Sequence, residues 1–400
     1  MSTIEPPLHQ ESAGTFNRLS YVRYKGRFTG QTSQGTFAVP YEITAPATPA
    51  EGNQRLLVEV PHVNDGIIAR ICILGAEFLF GRGFSHAAVG YSSIGNRILD
   101  ADPGFEIIIA GVSVNPSQPQ TDREIITQFA SALRANPFNL VGNIKKVYGI
   151  GFSDSGGALH RILNEAHARD TFDLSFPTIA GLGPVHKPFP VSGKVIVYNT
   201  EYDFRPLEGD SPNQRWYAGA GCPHISDSEC SRKLFTGPPT SPLPPVKGTT
   251  PINWDPFMKA LFIAGDSWVT EGQQPPPTTL LKLNPAGDDI QRDEKGNALG
   301  GIRHPALEVG EAKFIGSVNL PVPVPPPPVW RLFGGYDEVR SIGDTDFFKN
   351  VGQYVKAFDA AAKALSRAGF LLDEDEKDLT RKAKSNPSST FTQNYKAGRF

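Results

Sequence analysis

One segment of the sequence combines a buried strand, a tight turn and a helix within 23 residues. Residues 146–151 form an apolar run that ends in Gly151, as is typical of a strand covered on both faces of a parallel sheet. Residues 152–157 are mostly small, and residues 158–168 have apolar side chains at helical spacing. This order predicts an α/β fold with a mostly parallel central sheet covered by helices.

Other segments extend the same pattern. Residues 19–41 alternate in a way that predicts an antiparallel hairpin. Short apolar runs predict further buried strands, and they lie at residues 56–60, 87–91, 105–110, 176–182 and 194–199. Apolar side chains at helical spacing predict a helix over residues 121–135.

The chain divides by composition into three parts. Residues 1–233 contain the strand and helix patterns of an α/β core, whereas residues 234–335 are rich in proline and glycine. The prolines predict that residues 234–335 have no long regular element and form a cap or pocket wall of loops over the core. Residues 336–400 contain two helical patterns, at 344–370 and 373–384, before a loose tail.

The turn after the apolar run contains a candidate nucleophile. Gly151-Phe152-Ser153-Asp154-Ser155 resembles the G-x-S-x-G nucleophile elbow of the α/β-hydrolase fold, except that Ser155 stands at the last position. The letters Ser153-Asp154-Ser155-Gly156-Gly157 also resemble the G-D-S-G-G of chymotrypsin-like proteases, which would make Ser155 the nucleophile. Those proteases are all-β and have His and Asp upstream of Ser, so we favour Ser153.

An elbow of this kind implies two backbone donors for a developing oxyanion. The N–H of Asp154 lies at the start of the predicted helix, where the helix dipole favours negative charge. The loop after an earlier strand supplies the second donor in this fold, and here that loop begins at residue 61. We expect the N–H of Val63 or Asn64 in this role.

Hydrolases of this fold have their triad in the order Ser, acid, His. The base therefore lies downstream of the acid, for which the candidates discussed below end at residue 203. The histidines beyond that residue are His224, in a glycine-rich loop, and His304, in the irregular region. We favour His224 and keep His304 as the alternative. We expect the remaining histidines to be surface or capping groups, and these are His9, His62, His86, His160, His167 and His186.

Several of these segments together resemble a family of bacterial and fungal proteins described only as alpha/beta hydrolase domain proteins, with a G-x-S-x-S-G elbow. The similar segments are residues 151–156, 200–203, 218–224, 293–305 and the final helix ending at 368–372. The resemblance implies a triad of Ser153, His224 and either Asp203 or Glu201. It also makes the serine at position 155 a family trait, and it implies little about substrate.

The two candidate acids lie in the segment Thr200-Glu201-Tyr202-Asp203. Acids of this fold commonly take the fourth position of a Gly-x-x-Asp turn, and Thr200 stands where glycine is usual. We therefore favour Asp203, with Glu201 as the alternative.

The reaction that these residues fit is hydrolysis of a carboxylic ester or lactone in a small molecule, through an acyl-enzyme and without a cofactor or metal. The alternatives are an acyltransferase or lyase on the same fold, or an inactive scaffold that binds ligands. For the acyl or alcohol group we expect an apolar pocket lined by Trp254, Phe257, Met258, Phe262 and Trp268.

Composition excludes other classes of function. The net charge is -2, with 20% charged residues, so there is no basic excess to bind nucleic acid. No signal peptide or membrane-spanning run is visible, which predicts a cytoplasmic protein unless a leader was removed. Three cysteines exclude a disulfide framework and leave a bridge between Cys222 and Cys230 as an alternative to free thiols. The sequence makes no prediction of oligomeric state.

Overall fold

The structure is a computed structural model that describes residues 2–33, 35–61, 74–91, 108–109, 120–181, 183–226, 250–316 and 332–385. Its strands are β1 (Thr3–Ile4), β2 (His9–Phe16), β3 (Leu19–Thr32), β4 (Gly35–Pro46), β5 (Arg55–Glu59), β6 (Ser85–Val89), β7 (Ile108–Ile109), β8 (Lys146–Phe152), β9 (Leu174–Thr178), β10 (Lys194–Thr200), β11 (Gln214–Ala220), β12 (Ile302–Arg303), β13 (Lys313–Ile315) and β14 (Gly335–Asp337). Its α-helices are α1 (Ala76–Phe80), α2 (Gln120–Arg134), α3 (Asp154–Ile162), α4 (Asp255–Glu271), α5 (Pro305–Val309), α6 (Val351–Arg367) and α7 (Asp373–Ser385).

The chain forms two units. The first consists of Met1–Val197 and Leu207–Gln214, and the second of Tyr198–Pro206 and Arg215–Phe400. Strand β10 begins in the first unit and ends in the second. The predicted roles of a core at 1–233, a cap at 234–335 and C-terminal helices at 336–400 are not tested by this division and stay predictions.

The sheet of the first unit changes from antiparallel to parallel along its strand order β1-β3-β4-β6-β5-β8-β9-β10. The predicted hairpin is confirmed as β3 and β4, which pair antiparallel over twelve residue pairs. Strands β6, β5, β8 and β9 then pair in parallel. These four strands are buried along nearly their whole length, as their continuous apolar sequences predict.

The predicted strand at residues 105–110 is not one of the parallel strands. Its described part, β7, pairs antiparallel with the beginning of β4, through Phe37 with Ile109 and Ala38 with Ile108. Strand β6 pairs with β4 only from Tyr41 to Thr44. The first part of the long β4 therefore extends beyond β6 and pairs with β7 instead.

Within the first unit, helix α2 packs against the sheet through the apolar face that the spacing of its residues predicts. The four side chains of that face are at most 1% exposed, and they are Ile125, Ile126, Phe129 and Leu133. The ring of Phe129 lies 5.2 Å from that of Phe28 on β3. This burial holds the helix against the sheet.

In the second unit, the prediction that residues 234–335 contain no long regular element is wrong. Helix α4 spans 17 residues within this region. Its proline, Pro256, stands in the first turn, where the missing backbone N–H is not needed by the helix. Gly272 ends the helix in the left-handed conformation, at φ 75°. Proline and glycine therefore mark the limits of this helix and do not break it.

The second unit also contains short elements that the sequence analysis does not predict, namely β12, α5, β13 and β14. Strand β11 pairs in parallel with β12, and β13 pairs antiparallel with β14. Helix α6 begins at Val351 and not near residue 344, because the side chain of Asn350 caps it by accepting from the N–H of Gln353 at 3.0 Å. None of the helices within the described residues is long and apolar enough to cross a membrane.

Candidate active site

Ser153 stands between β8 and α3 in a backbone conformation that side chains rarely adopt. Its φ is 57° and its ψ is −119°, and a non-glycine residue at such angles carries strain that the surrounding structure must offset. The N–H of Ser153 donates to the carbonyl of Thr178 on β9 at 3.1 Å, and its own carbonyl accepts from Gly157 at 2.8 Å. These bonds fix the turn between the sheet and the helix.

The glycines around Ser153 are required by close backbone approach. A Cβ atom on Gly151 would lie 2.3 Å from the carbonyl oxygen of Ser155, and one on Gly156 would lie 2.3 Å from the carbonyl oxygen of Thr178. Both distances are far below van der Waals contact, and in each case the obstacle is backbone. The small residues of the motif therefore allow the strand and helix to approach at the turn.

Ser155, the departure from the usual motif, is a structural part of the turn. Its hydroxyl donates to the carbonyl of Phe152 at 2.9 Å and accepts from the N–H of Phe152 at 2.9 Å. The residue is fully buried, whereas Ser153 is only half-buried. This geometry argues against Ser155 as the nucleophile and gives the second serine of G-x-S-x-S-G a physical role.

The residues predicted to donate to an oxyanion are described only in part. Asp154 is the first residue of α3, so its N–H lies at the positive end of the helix dipole. Val63 and Asn64 lie outside the described residues. The oxyanion role of all three stays a prediction.

In the second unit, Asp203 and His224 form a buried acid–imidazole pair. Nδ1 of His224 lies 2.9 Å and 2.8 Å from the two carboxylate oxygens of Asp203. The hydroxyl of Thr200 donates to Oδ2 of Asp203 at 2.6 Å, and the Asp203 N–H donates back to the Thr200 hydroxyl at 3.3 Å. The carboxylate is thus held in place by Thr200, which is the last residue of β10 and the first residue of the acid turn.

This arrangement fixes the tautomer of His224. A carboxylate can only accept, so Nδ1 of the ring carries the proton of this bond. In the neutral ring Nε2 is then the atom with a lone pair, which is the state of a general base. The Tyr202 ring contacts the His224 ring edge to face at 5.6 Å between centroids and helps to set its orientation.

The structure gives different surroundings to the two carboxylates, Asp203 and Glu201, that the sequence analysis weighs as the acid. Glu201 faces away from the pair: its Oε1 accepts from Nη2 of Arg292 at 2.8 Å, and its Oε2 accepts from the N–H of Gly221 at 2.7 Å. Its side chain is 0% exposed. Of the two acids, Asp203 is the one placed against His224.

His304 occupies a different environment from His224. Its Nδ1 accepts from the N–H of Ala306 at 3.2 Å and caps the short helix α5. Its ring packs between Phe257 and Phe358, and burial lowers its pKa from 6.5 to about 3. These contacts favour a structural role for His304.

Two of the remaining histidines are not surface groups. His86 on β6 is 1% exposed, and its Nε2 lies 2.9 Å from Oε2 of Glu59. His186 is 2% exposed. The expectation of surface or capping histidines is wrong for these two. His86 is covered because it lies on β6, a strand within the sheet, and His186 lies in an isolated bridge with Leu207.

The apolar residues predicted to line a pocket are core residues of the second unit. The side chains predicted for the pocket are at most 5% exposed, and they are Trp254, Phe257, Met258, Phe262 and Trp268. Trp254 precedes α4 and donates from Nε1 to the carbonyl of Pro223 at 3.0 Å, next to His224 in sequence. Their role in substrate binding stays a prediction.

The cysteine beside the base is buried. Sγ of Cys222 lies 3.5 Å from the hydroxyl of Tyr198, and burial raises the pKa of its thiol from 9.0 to about 12. Cys72 and Cys230 lie outside the described residues, so a bridge between Cys222 and Cys230 is untested.

Comparison with known proteins places this geometry in a family. The sequence profile of a family described as "Alpha/beta hydrolase domain" matches residues 22–381. The chain belongs to that family. The match covers the elbow, the acid–imidazole pair and the helices up to α7, and it confirms the predicted α/β-hydrolase fold class. No curated protein matches the chain.

Solved structures with a similar fold include several esterases, each matching over about half of this chain. The esterase Pf2001 of Pyrococcus furiosus is 10% identical, with a TM-score of 0.32, over 50% of this chain and 83% of its own. Brefeldin A esterase, described as a bacterial homologue of human hormone-sensitive lipase, is 12% identical, with a TM-score of 0.26, over 44% of this chain and 43% of its own. The cell wall degrading esterase LipA of Xanthomonas oryzae is 13% identical, with a TM-score of 0.30, over 44% of this chain and 50% of its own.

Three further residues that contact the two carboxylates are assigned no role from the sequence. Thr200 supports Asp203, Arg292 binds Glu201, and Gly221 donates to Glu201. Thr200 stands where glycine is usual in the acid turn, which is the one departure that could have suggested a special contact. Arg292 is 91 residues from Glu201 along the chain, and no local pattern links them.

Proposed function

We propose that this protein is a serine hydrolase that cleaves a carboxylic ester or lactone of a small molecule. In this proposal Ser153 is the nucleophile, His224 the general base and Asp203 the orienting acid. The observation that carries it is the strained conformation of Ser153, at φ 57°, in a strand–turn–helix of the α/β hydrolase family. The hydrogen bonds between Asp203 and Nδ1 of His224 support it.

The first half of the proposed reaction forms an acyl-enzyme. Nε2 of His224 accepts the proton of the Ser153 hydroxyl while Oγ forms a bond to the carbonyl carbon, and the carbonyl electron pair moves to oxygen. The Asp154 N–H donates to the resulting oxyanion. When the oxyanion collapses, the bond to the leaving oxygen breaks, and the imidazolium gives its proton to the departing alcohol.

Water completes the cycle in the second half. His224 accepts a proton from water as the water oxygen attacks the acyl carbon, and the imidazolium then returns a proton to Oγ of Ser153 as the acid leaves. Throughout, the carboxylate of Asp203 stabilises the imidazolium without taking its proton. The residues named here supply every proton transfer of this sequence.

The experiment that tests the proposal is labelling with a fluorophosphonate probe, followed by peptide mapping. We expect one adduct, on Ser153, which is lost in Ser153→Ala. Ser192→Ala, at an exposed serine of the same unit, is the matched control and should label like the unchanged protein. A protein that does not react, or that reacts on Ser155, would overturn the assignment.

A second measurement identifies the reaction after the acyl-enzyme. The protein is incubated with a panel of esters and lactones, and the acid that it releases is measured. We expect turnover with water as the only acceptor. If product forms only when an alcohol acceptor is added, the protein is an acyltransferase. If product forms without any adduct on Ser153, the reaction is of another type, such as that of a lyase.

A further inference from the structure

The loop that carries His224 begins with a sharp turn at Gly221. This residue has φ +69°, and a Cβ atom on it would lie 2.8 Å from the side chain of Leu307 and 3.2 Å from that of Phe314. The turn redirects the chain at the end of β11, three residues before His224. The direction in which the chain leaves β11 therefore decides where the imidazole is placed.

Glu201 holds this turn from both its backbone and its side chain. Its N–H donates to the carbonyl of Cys222 at 3.1 Å, and its Oε2 accepts from the N–H of Gly221 at 2.7 Å. The segment after β13 closes over this contact, since a Cβ atom on Gly316 would lie 2.5 Å from Cβ of Glu201. Two hydrogen bonds thus join the end of β10 to the first two residues of the loop.

Arg292 balances the charge of this carboxylate. Its Nη2 lies 2.8 Å from Oε1 of Glu201, and its Nη1 donates to the carbonyl of Gly296 at 3.3 Å. The Glu201 side chain is 0% exposed, whereas that of Arg292 is 32% exposed. A carboxylate so deeply buried is costly unless it is paired, so the loss of Arg292 should displace the Glu201 side chain.

We propose that Glu201 and Arg292 are positioning residues that hold the Gly221–His224 loop so that His224 meets Asp203. This inference rests on the proposed function for its catalytic consequence. The two carboxylates of one short turn, Glu201 and Asp203, then have different tasks. Asp203 contacts the imidazole itself, and Glu201 acts on it only through the backbone of the loop.

The test uses the full chain with Arg292→Gln, Arg292→Lys and Glu201→Gln. Arg340→Gln is the matched control, because Arg340 also pairs with a carboxylate, at 3.2 Å from Asp346, and donates to a carbonyl, that of Gly310, at 3.0 Å. The first readout is the low-field proton resonance of the His224 Nδ1–H in the bond to Asp203. The second is kcat and KM on an ester that the unchanged protein hydrolyses.

We expect the low-field resonance to broaden or vanish in Arg292→Gln, with kcat reduced up to about 10²-fold and KM little changed, as follows when a catalytic group is misplaced by about 1 Å. Arg292→Lys should retain most of the resonance and most of kcat, and Arg340→Gln should leave both unchanged. Because Arg292 is partly exposed, its variants test the proposal even if Glu201→Gln does not fold.

An unchanged resonance and unchanged kcat in a folded Arg292→Gln variant overturn this inference. A loss of kcat with an intact resonance also overturns it, because the effect then does not pass through His224. If the unchanged protein shows no phosphonate adduct, the proposed function fails. The resonance still decides whether Arg292 positions the ring.

Discussion

The hydroxyl of Thr200 donates at 2.6 Å to the same carboxylate oxygen of Asp203 that lies 2.8 Å from Nδ1 of His224. Position 200 is the first residue of the acid turn, where glycine is usual, and here its side chain supports the acid. The acid is therefore held by its own turn as well as by the base.

Replacing the acid should abolish turnover without unfolding the chain. Asp203→Asn puts an amide beside Nδ1, which stabilises an imidazolium poorly and can favour the wrong tautomer, so kcat should fall by up to about 10⁴-fold with little change in KM. Glu201→Gln should reduce kcat much less. Steady-state kinetics on both variants checks this, and an exchange of the two effects would make Glu201 the acid.

Removing the Thr200 hydroxyl should have a smaller effect on the same reaction. Thr200→Val keeps the shape of the side chain but removes both hydrogen bonds between the Thr200 hydroxyl and Asp203. The bond to the charged carboxylate alone contributes about 1.5–3 kcal/mol. We expect a lower free energy of unfolding in urea and a fall in kcat well short of that in Asp203→Asn. Equal losses in the two variants would contradict a purely supporting role for Thr200.

Ser155→Ala should destabilise the elbow while Ser153 remains the labelled residue. The variant leaves the N–H and carbonyl of Phe152 without the Ser155 hydroxyl, which should reduce the free energy of unfolding by about 1–3 kcal/mol and slow phosphonate labelling. Urea denaturation and peptide mapping measure the two effects. A variant as stable as the unchanged protein but without an adduct would point to Ser155 as the nucleophile.

Gly156→Ala should disrupt the first unit. The added Cβ would lie 2.3 Å from the backbone carbonyl of Thr178, so α3 would have to move away from β9. Gly287→Ala is the matched control: its φ is +77°, but no heavy atom lies within 4 Å of the added Cβ. Thermal unfolding should show a large loss for Gly156→Ala and a small one for Gly287→Ala, and similar losses would contradict the close approach.

Glu311 should make the protein less stable as the pH rises from about 4.5 to about 7. Burial raises the pKa of this carboxyl from 4.5 to about 7, with its hydrogen bond to Tyr354 opposing the shift. The folded chain therefore keeps a proton that the unfolded chain releases, and stability is lost as the pH rises through this window. This loss of stability is up to about 3 kcal/mol. It should be absent in Glu311→Gln, as measured by Tm at a series of pH values. An unchanged pH profile would contradict the shift.

The parts of the site that could be predicted from the sequence are those set by local chain geometry. The elbow is visible because backbone crowding requires glycine at positions 151 and 156. The choice of Asp203 over Glu201 depends on which way each side chain leaves one turn, and partners distant in sequence, such as Arg292, decide it. The proline-rich composition of residues 234–335 predicts loops and hides helix α4, because the prolines lie outside that helix except for Pro256, which stands in its first turn.

The conformation of Ser153 also constrains when reactivity can appear during folding. A left-handed serine costs about 1–3 kcal/mol, and the contacts that offset this strain include the bond from Ser153 to Thr178 on β9 and the close packing of Gly156 there. An isolated β8–α3 segment would relax to an ordinary turn. In a refolding chain, reactivity at Ser153 should therefore emerge only after β9 has docked beside β8, so the rate of covalent labelling would report that docking step.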